Sequence, residues 1–307
     1  MSLSVNLRSS LLMAVAMAGF TTNDAMVKML NGTIGAGQIM MVRGAIMLVF
    51  LFAYMRIARV PMPLRRAMTV PLAIRTAGEI IGTVLFLYAL FHMPIANVSA
   101  ILQALPLAVT LGAALFLKEP VGIRRMLAIL VGFVGVLLVI RPGLQGFSVY
   151  ALAALGTVFF AAARDLATRR LPDNLPSLMV SLLTTVAVTA TGAVMMVLSG
   201  GWKPLTLHGF ALLGGSAVFL IIGYQCIILA LRAGDIHIVA PFRYASLLWA
   251  IILGIALFGE WPDALTLLGA GIIVGTGLYA LYRERIVARR VASANISAAS
   301  PPPARGT

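Results

Sequence analysis

The chain has 307 residues, of which 61% are hydrophobic and only 10% charged, whereas ordinary soluble domains run at about 45–50% and about 25%. Folded in water, it would have too little polar surface to cover itself, so a soluble enzyme and a disordered chain are both excluded. The net charge of +14 comes without a basic stripe interleaved with aromatics, so it reads as loop charge of a polytopic membrane protein; the expected environment is a lipid bilayer and no nucleic acid is expected as a partner.

A membrane-spanning helix needs about 20 mostly apolar residues. Ten such segments are predicted, at 8–30, 35–55, 69–91, 95–117, 123–140, 148–168, 177–199, 209–231, 236–258 and 263–282. The first contains Ala14-Val15-Ala16, a signal-peptidase-like site, but only Arg8 precedes it and the apolar run continues beyond it, so an uncleaved helix is expected. The remaining loops are too short for a soluble domain. From Ile286 the chain is small, polar and finally Pro-rich, and 286–307 is predicted to be a disordered tail.

Basic residues alternate with the spans. With a cytoplasmic start, sixteen Lys and Arg fall on the cytoplasmic side, among them Arg56, Arg59, Arg124, Arg125 and Arg170, against Arg141 and Lys203 on the other. That asymmetry predicts both termini in the cytoplasm. A repeat is visible at an offset of 141: Asp24 maps onto Asp165, Lys28 onto Arg169, Gln103 onto Tyr244 and Glu119 onto Glu260. The same shift carries the first span onto the sixth, so the unit is five helices. Five is odd, so the second copy enters the membrane from the opposite side. The expected architecture is an all-α membrane protein of two inverted five-helix repeats, 1–147 and 148–285, followed by the tail.

Ionisable groups within a bilayer each cost at least about 2.5–3.5 kcal/mol at a helix centre, so they mark function or an ion pair. Asp24 and Lys28 stand i,i+4 on the first helix, Asp165 and Arg169 repeat the spacing on the sixth, and Arg75 and Glu79 do so on the third. Asn23 adjoins Asp24. Arg43 lies roughly 12 Å below its helix end, too deep for easy snorkelling. Arg243 stands beside Tyr244 on the ninth helix. Asn23, Asp24, Lys28, Arg43, Glu79, Tyr88, Gln103, Arg243 and Tyr244 are the candidate substrate-binding residues, with Arg43 and Arg243 holding substrate and Asp24 or Glu79 handling a proton. Five basic residues in or near spans against three acids favour an anionic group on the substrate.

Pro106 and Pro241 are expected to break the fourth and ninth helices beside the cavity. Gly132, Gly135, Gly269, Gly271 and Gly275 make helices 5 and 10 a close-packed scaffold or a homodimer surface. The single Cys226 and three scattered histidines offer no metal site, the Gly-Lys dipeptide of a phosphate-binding loop is missing, and no catalytic constellation appears, so neither a cofactor nor enzymatic activity is expected.

Two features resemble a known family. Each half has a helix ending in an acid and a turn, Leu117-Lys118-Glu119-Pro120 and Phe258-Gly259-Glu260-Trp261-Pro262, and the stretch Val239-Ala-Pro-Phe-Arg-Tyr-Ala-Ser-Leu-Leu-Trp-Ala250 leads into the second. With ten spans in two halves, these resemble the drug/metabolite transporter superfamily, EamA type, over about residues 8–283. Phe20-Thr-Thr-Asn-Asp-Ala-Met-Val-Lys28 with Gln38 and Arg43 resembles the subgroup containing S-adenosylmethionine and riboflavin carriers. The chain departs from many relatives in carrying Thr76-Ala77-Gly78-Glu79 on its third helix. The resemblance implies a secondary transporter of a small polar metabolite (a vitamin or cofactor, or an amino acid) in a bacterial inner membrane. A metabolite or drug exporter of the same fold, or a non-transporting sensor, is the alternative.

Overall fold

The computed structural model describes residues 5–59, 68–119, 121–142, 148–172, 175–234 and 236–299. Ten helices in it are long and apolar enough to cross a membrane, and there is no strand among the described residues. They are α1 Val5–Met29, α2 Ala36–Ile57, α3 Val70–His92, α4 Ile95–Leu102 continuing as Leu105–Phe116, α5 Ile123–Ile140, α6 Val149–Thr168, α7 Ser177–Leu198, α8 Leu207–Ala233, α9 Ile236–Val239 continuing through a 3₁₀ turn, Ala240–Tyr244, to Ala245–Phe258, and α10 Ala264–Ala299. Successive spans run in opposite directions. Residues 30–35, 93–94, 141–142, 199–206 and 259–263 therefore lie on one membrane face, here the far face, and the start of α1 with 58–59, 117–119 and 169–172 on the near face.

Local chemistry sets the helix ends. The hydroxyls of Thr69, Ser148 and Thr206 accept from amides in the first turns of α3, α6 and α8, satisfying donors that have no partner within the helix. Asp263 does the same for α10 through Thr266 N at 2.9 Å. The one clear departure from the predicted elements is the tail: α10 continues to Ala299, well past Ile286. Residues 286–299 are rich in Ala, Arg and Val and contain neither Gly nor Pro, so nothing stops the helix once the last span has nucleated it. The Pro-rich stretch beyond Ser300 and the Arg65-Arg66 pair lie outside the described residues.

The two repeats interlock instead of standing side by side. The main packing pairs are α1 with α8, α3 with α6, α2 with α7 and α5 with α10, each joining one half to the other. Close approach depends on glycine. A Cβ on Gly19 of α1 would come within 3.0 Å of Phe219 O on α8, and one on Gly78 of α3 within 2.8 Å of Phe160 O on α6. Gly19 and Phe160 are 141 residues apart, as are Gly78 and Phe219. The same crossing is thus built twice, with glycine on opposite partners. At α5–α10, Gly135 and Gly269 lie backbone to backbone, whereas Gly271 and Gly275 face open space and take no part in this packing.

The helix breaks also obey the repeat. α4 is interrupted at Gln103–Ala104 and α9 becomes 3₁₀ at Ala240–Tyr244, and Gln103 and Tyr244 are repeat mates although the two prolines are not. The breaks meet: Gln103 Nε2 donates to Ser246 Oγ at 2.7 Å and to Tyr244 O at 3.4 Å. Where proline removes helical bonds, side-chain amide and hydroxyl satisfy some of the freed groups.

Candidate functional site

Between the interlocked halves lies a charged cluster drawn from α1, α2, α3, α6 and α8. Its firmest part is Arg164 on α6. Its Nη1 donates to Glu79 Oε2 on α3 at 3.0 Å and its Nε to Asp165 Oδ1 at 2.9 Å, so one guanidinium holds two carboxylates. Arg75, one turn below Glu79, lies within electrostatic range of Glu79, Arg164 and Asp165. Asp24 on α1 and Arg43 on α2 lie within range of each other, and Asn23 Nδ2 donates to Asp24 Oδ1 at 2.9 Å. The Tyr224 phenol on α8 stands in the field of Glu79, Arg164, Arg43 and Arg75 and so links the two parts.

A cavity of about 180 Å³ opens beside this cluster, lined by Glu79, Thr83, Phe86, Thr157, Ala161 and Arg164 with Gly78 and Gly82 as its floor. The Gly78 approach to α6 brings Glu79 and Arg164 together here. The Thr-Ala-Gly-Glu departure on the third helix therefore coincides with the cavity wall. Several polar atoms remain unsatisfied: Arg43 Nε, Arg75 Nε and Asn23 Oδ1 are buried without a hydrogen-bond partner. Buried polar groups are nearly always paired, so unpaired atoms in a cluster that reaches a cavity wall through Glu79 and Arg164 are where a polar ligand gains most.

The structure sorts the candidate residues into three places. Asn23, Asp24, Arg43 and Glu79 come together in the cluster. Gln103 and Tyr244 join the breaks of α4 and α9, with the Tyr244 hydroxyl wedged against Gly277 of α10. Lys28, Tyr88 and Arg243 stand elsewhere. Arg243 is exposed on the 3₁₀ turn. Tyr88 packs edge-on to Tyr150 and against His92, which stacks on Tyr150 at 4.2 Å. Lys28 leaves Asp24 altogether: Nζ meets Glu260 Oε1 at 2.5 Å and Met93 O at 2.6 Å, and lies over the Phe258 ring, while Glu260 Oε2 accepts from Ile95 N at 2.9 Å.

Intrahelical spacing therefore pointed to partners that the structure does not pair. Asp24–Lys28 and Asp165–Arg169 do not pair; Arg169 bonds Glu119 at 3.1 Å instead. On a helix surface an i,i+4 pair gains only about 0.2–0.5 kcal/mol, whereas a partner on an opposing helix also removes an uncompensated charge from an apolar interior. The charge count changes with it. Once Lys28 and Arg243 are elsewhere, the cluster has three cations (Arg43, Arg75, Arg164) and three acids (Asp24, Glu79, Asp165), not an excess of positive charge. Arg164, Arg75, Asp165 and Tyr224 join the site although they are not among the candidate substrate-binding residues, Arg75 and Asp165 entering the sequence reading only as members of i,i+4 pairs. Their signal in the sequence is a charge or phenol inside an apolar run, which alone does not tell a cavity wall from a helix end. Gln38, part of the subgroup resemblance, makes two bonds with the Lys203 backbone at 2.8 and 3.0 Å and is a clamp on the far face.

The EamA-like transporter family model matches twice, over residues 7–141 and 148–282, with the two matches offset by the 141 residues that relate Gly19 to Phe160. The chain belongs to the EamA-like transporter family. Among its relatives, a pseudopaline exporter of Pseudomonas aeruginosa is 30% identical over 281 residues, 91% of this chain and 98% of that protein. A riboflavin transporter of Vibrio cholerae is 30% identical over 76% of this chain and 78% of its own, and an S-adenosylmethionine uptake transporter of Rickettsia conorii is 27% identical over 66% and 69%. A solved crystal structure covers 93% of this chain and 99% of its own with a TM-score of 0.60 at 19% identity, a likeness of fold alone. EamA-like membership accounts for the doubled five-helix plan and the membrane setting. The relatives' names place both uptake and export within reach of this fold.

Proposed function

We propose that this chain is a secondary transporter that moves a small polar metabolite across the bacterial inner membrane by alternating access, with the near face in the cytoplasm. One observation carries the reading. Six ionisable side chains from α1, α2, α3 and α6 converge within the helical bundle, Glu79 and Arg164 among them line a cavity, and two of the guanidiniums, Arg43 and Arg75, keep a buried Nε unpaired. A purely structural cluster would gain by satisfying those donors. The cluster balances charge, so the substrate that fits is zwitterionic or a neutral molecule with polar edges. A carboxylate or similar acceptor would go to Arg43 and Arg75, and a cationic or hydrogen-bonding part to Asp24 and Asn23. Riboflavin, S-adenosylmethionine and amino acids all meet that description. Asp24 and Glu79 are the groups proposed to couple transport to protons. The charge asymmetry of the loops supports the orientation, and the family setting supports transport over catalysis.

The test is counterflow in proteoliposomes against a panel containing riboflavin, S-adenosylmethionine and amino acids, which needs no driving force. Exchange of one compound, lost in Arg43→Ala, is the expected outcome; equal exchange by wild type and Arg43→Ala would remove the cluster from the mechanism. Export is the second reading, favoured by the near-complete coverage of the pseudopaline exporter. Loading inverted vesicles under an imposed proton gradient separates the two directions.

A further inference from the structure

The turn that ends α4 and the turn that ends α9 are copies of one device. Lys118 and Gly259, repeat mates, take left-handed backbone angles of φ 56° and 65°. The next residue in each case is a glutamate whose amide reaches back six residues, Glu119 N to Ala113 O at 3.2 Å and Glu260 N to Gly254 O at 3.0 Å. Each glutamate then pairs with a cation at the end of the first helix of the other repeat: Glu260 with Lys28, Glu119 with Arg169. Those cations are mates too. The inverted repeat has therefore placed one copy of this Glu–cation pair on each membrane face, each tying the two halves together.

The two copies are not in the same state. On the far face Lys28 is 9% exposed and Glu260 21%, with Met93 O and Ile95 N completing the coordination and the start of α4 drawn in. On the near face Arg169 and Glu119 are 51% and 49% exposed and meet in open surroundings. A pair excluded from water holds firmly once all its bonds are made, whereas an exposed pair contributes little. The same chemistry repeated by symmetry but buried on one side only is what an alternating machine looks like when stopped at one end of its cycle.

Resting on the transporter reading above, we propose that Lys28–Glu260 and Arg169–Glu119 are the two gates of the permeation path, buried in alternation, and that the structure holds the far gate shut. Closing the near gate would press Glu119 and Arg169 toward the start of α9, the mate of the α4 start that Glu260 binds, and free Lys28 and Glu260 to water. The occupant of the cavity plays no part in this argument.

Sided thiol labelling tests it on the full chain without knowing the substrate. With Cys226→Ala as background, Ala161→Cys places one reporter on the cavity wall. A membrane-impermeant maleimide is added to right-side-out or inverted vesicles. The intact protein should react from the near face. Lys28→Ala or Glu260→Gln should raise the far-face rate about tenfold or more, because a firmly held closure is lost. Adding Arg169→Ala to Lys28→Ala should return labelling to the near face, since the competing closed state is weakened in turn. The exchange Lys28→Glu with Glu260→Lys should recover part of the original sidedness. Far-face labelling unchanged by Lys28→Ala, or no return when Arg169→Ala is added, would overturn the proposal. Labelling that rises equally from both faces would mean a loosened bundle and would overturn it as well. Failure of counterflow with every compound in the panel would leave this readout standing and would count against the transport reading instead.

Discussion

Two charged regions of this bundle are built on opposite rules. At the far face, Lys28 and Glu260 are well satisfied: three hydrogen bonds between separate helices and turns and an aromatic face surround one ammonium and one carboxylate. In the central cluster Arg164 holds two carboxylates, yet Arg43 Nε, Arg75 Nε and Asn23 Oδ1 go without. Both regions bear the desolvation cost of charge in an apolar interior. Only the first recovers it within the chain. Intramembrane charge alone therefore does not separate the two regions; the difference lies in how far each is satisfied within the chain.

The largest effect should come from cutting the one well-satisfied hub of the cluster. Arg164→Ala leaves Glu79 and Asp165 without their shared cation; all three are part-exposed, so solvent screens the stability loss to below that of a fully buried pair. Counterflow should fall by about 100-fold or more. Retention of wild-type exchange would blur the distinction between hub and periphery. Next comes the far face. Lys28→Ala should destabilise detergent-solubilised protein, read as a lowered Tm, because Glu260, only 21% exposed, loses its cation and keeps the Ile95 amide alone. A Tm within error of wild type would mean that the pair is not closed in solution.

A thermodynamic cycle sharpens the contrast. Asp24→Asn and Arg43→Gln should each abolish exchange, and the double variant should remain inactive while regaining about 1–2 kcal/mol of stability over the sum of the single losses. Recovered stability with lost transport is the signature of a functional pair; simple additivity would show that the two charges act separately. The smallest effect is expected outside the membrane. Burial pushes the Asp263 carboxyl up, but the Thr266 amide and hydroxyl and the neighbouring Arg141 guanidinium outweigh it and hold it below the usual carboxylate range. A depressed carboxyl stabilises the fold above its unfolded pKa of about 3.9 and loses that contribution as pH falls through the folded value. Asp263 is half-exposed, so solvent screens the effect. Asp263→Ala should cost about 1 kcal/mol from the lost α10 cap and flatten the acid limb of a stability titration below pH about 4.

Much of the fold was legible because membrane spans are read from local composition. All ten predicted segments have helical counterparts within a few residues, and Pro106 and Pro241 mark real breaks. The 141-residue offset was visible in Asp24, Lys28, Gln103 and Glu119 alone. Over residues 286–299, the described part of the tail, Ala and Arg in the absence of Gly and Pro favour continuing a helix already begun, a signal that polarity alone does not carry. The site was legible only in part. Asn23, Asp24, Arg43 and Glu79 announced themselves as charge or amide in apolar surroundings, and Arg75 and Asp165 through their i,i+4 spacing, but nothing in the sequence joined Arg164 or Tyr224 to them.

What the sequence determined by itself is the set of elements, their alternation across the bilayer and the doubling of the plan, since these follow from the length of apolar runs and from charge in the loops. What only the tertiary structure decided is who meets whom. Lys28 is spaced for Asp24 and bonds Glu260, 232 residues away; Arg169 is spaced for Asp165 and bonds Glu119. Helix crossings at Gly19 and Gly78 set the angles and depths at which side chains from the two halves converge, and no periodicity within one helix encodes that. Burial then selects, from the partners within reach, those that leave the fewest charges alone.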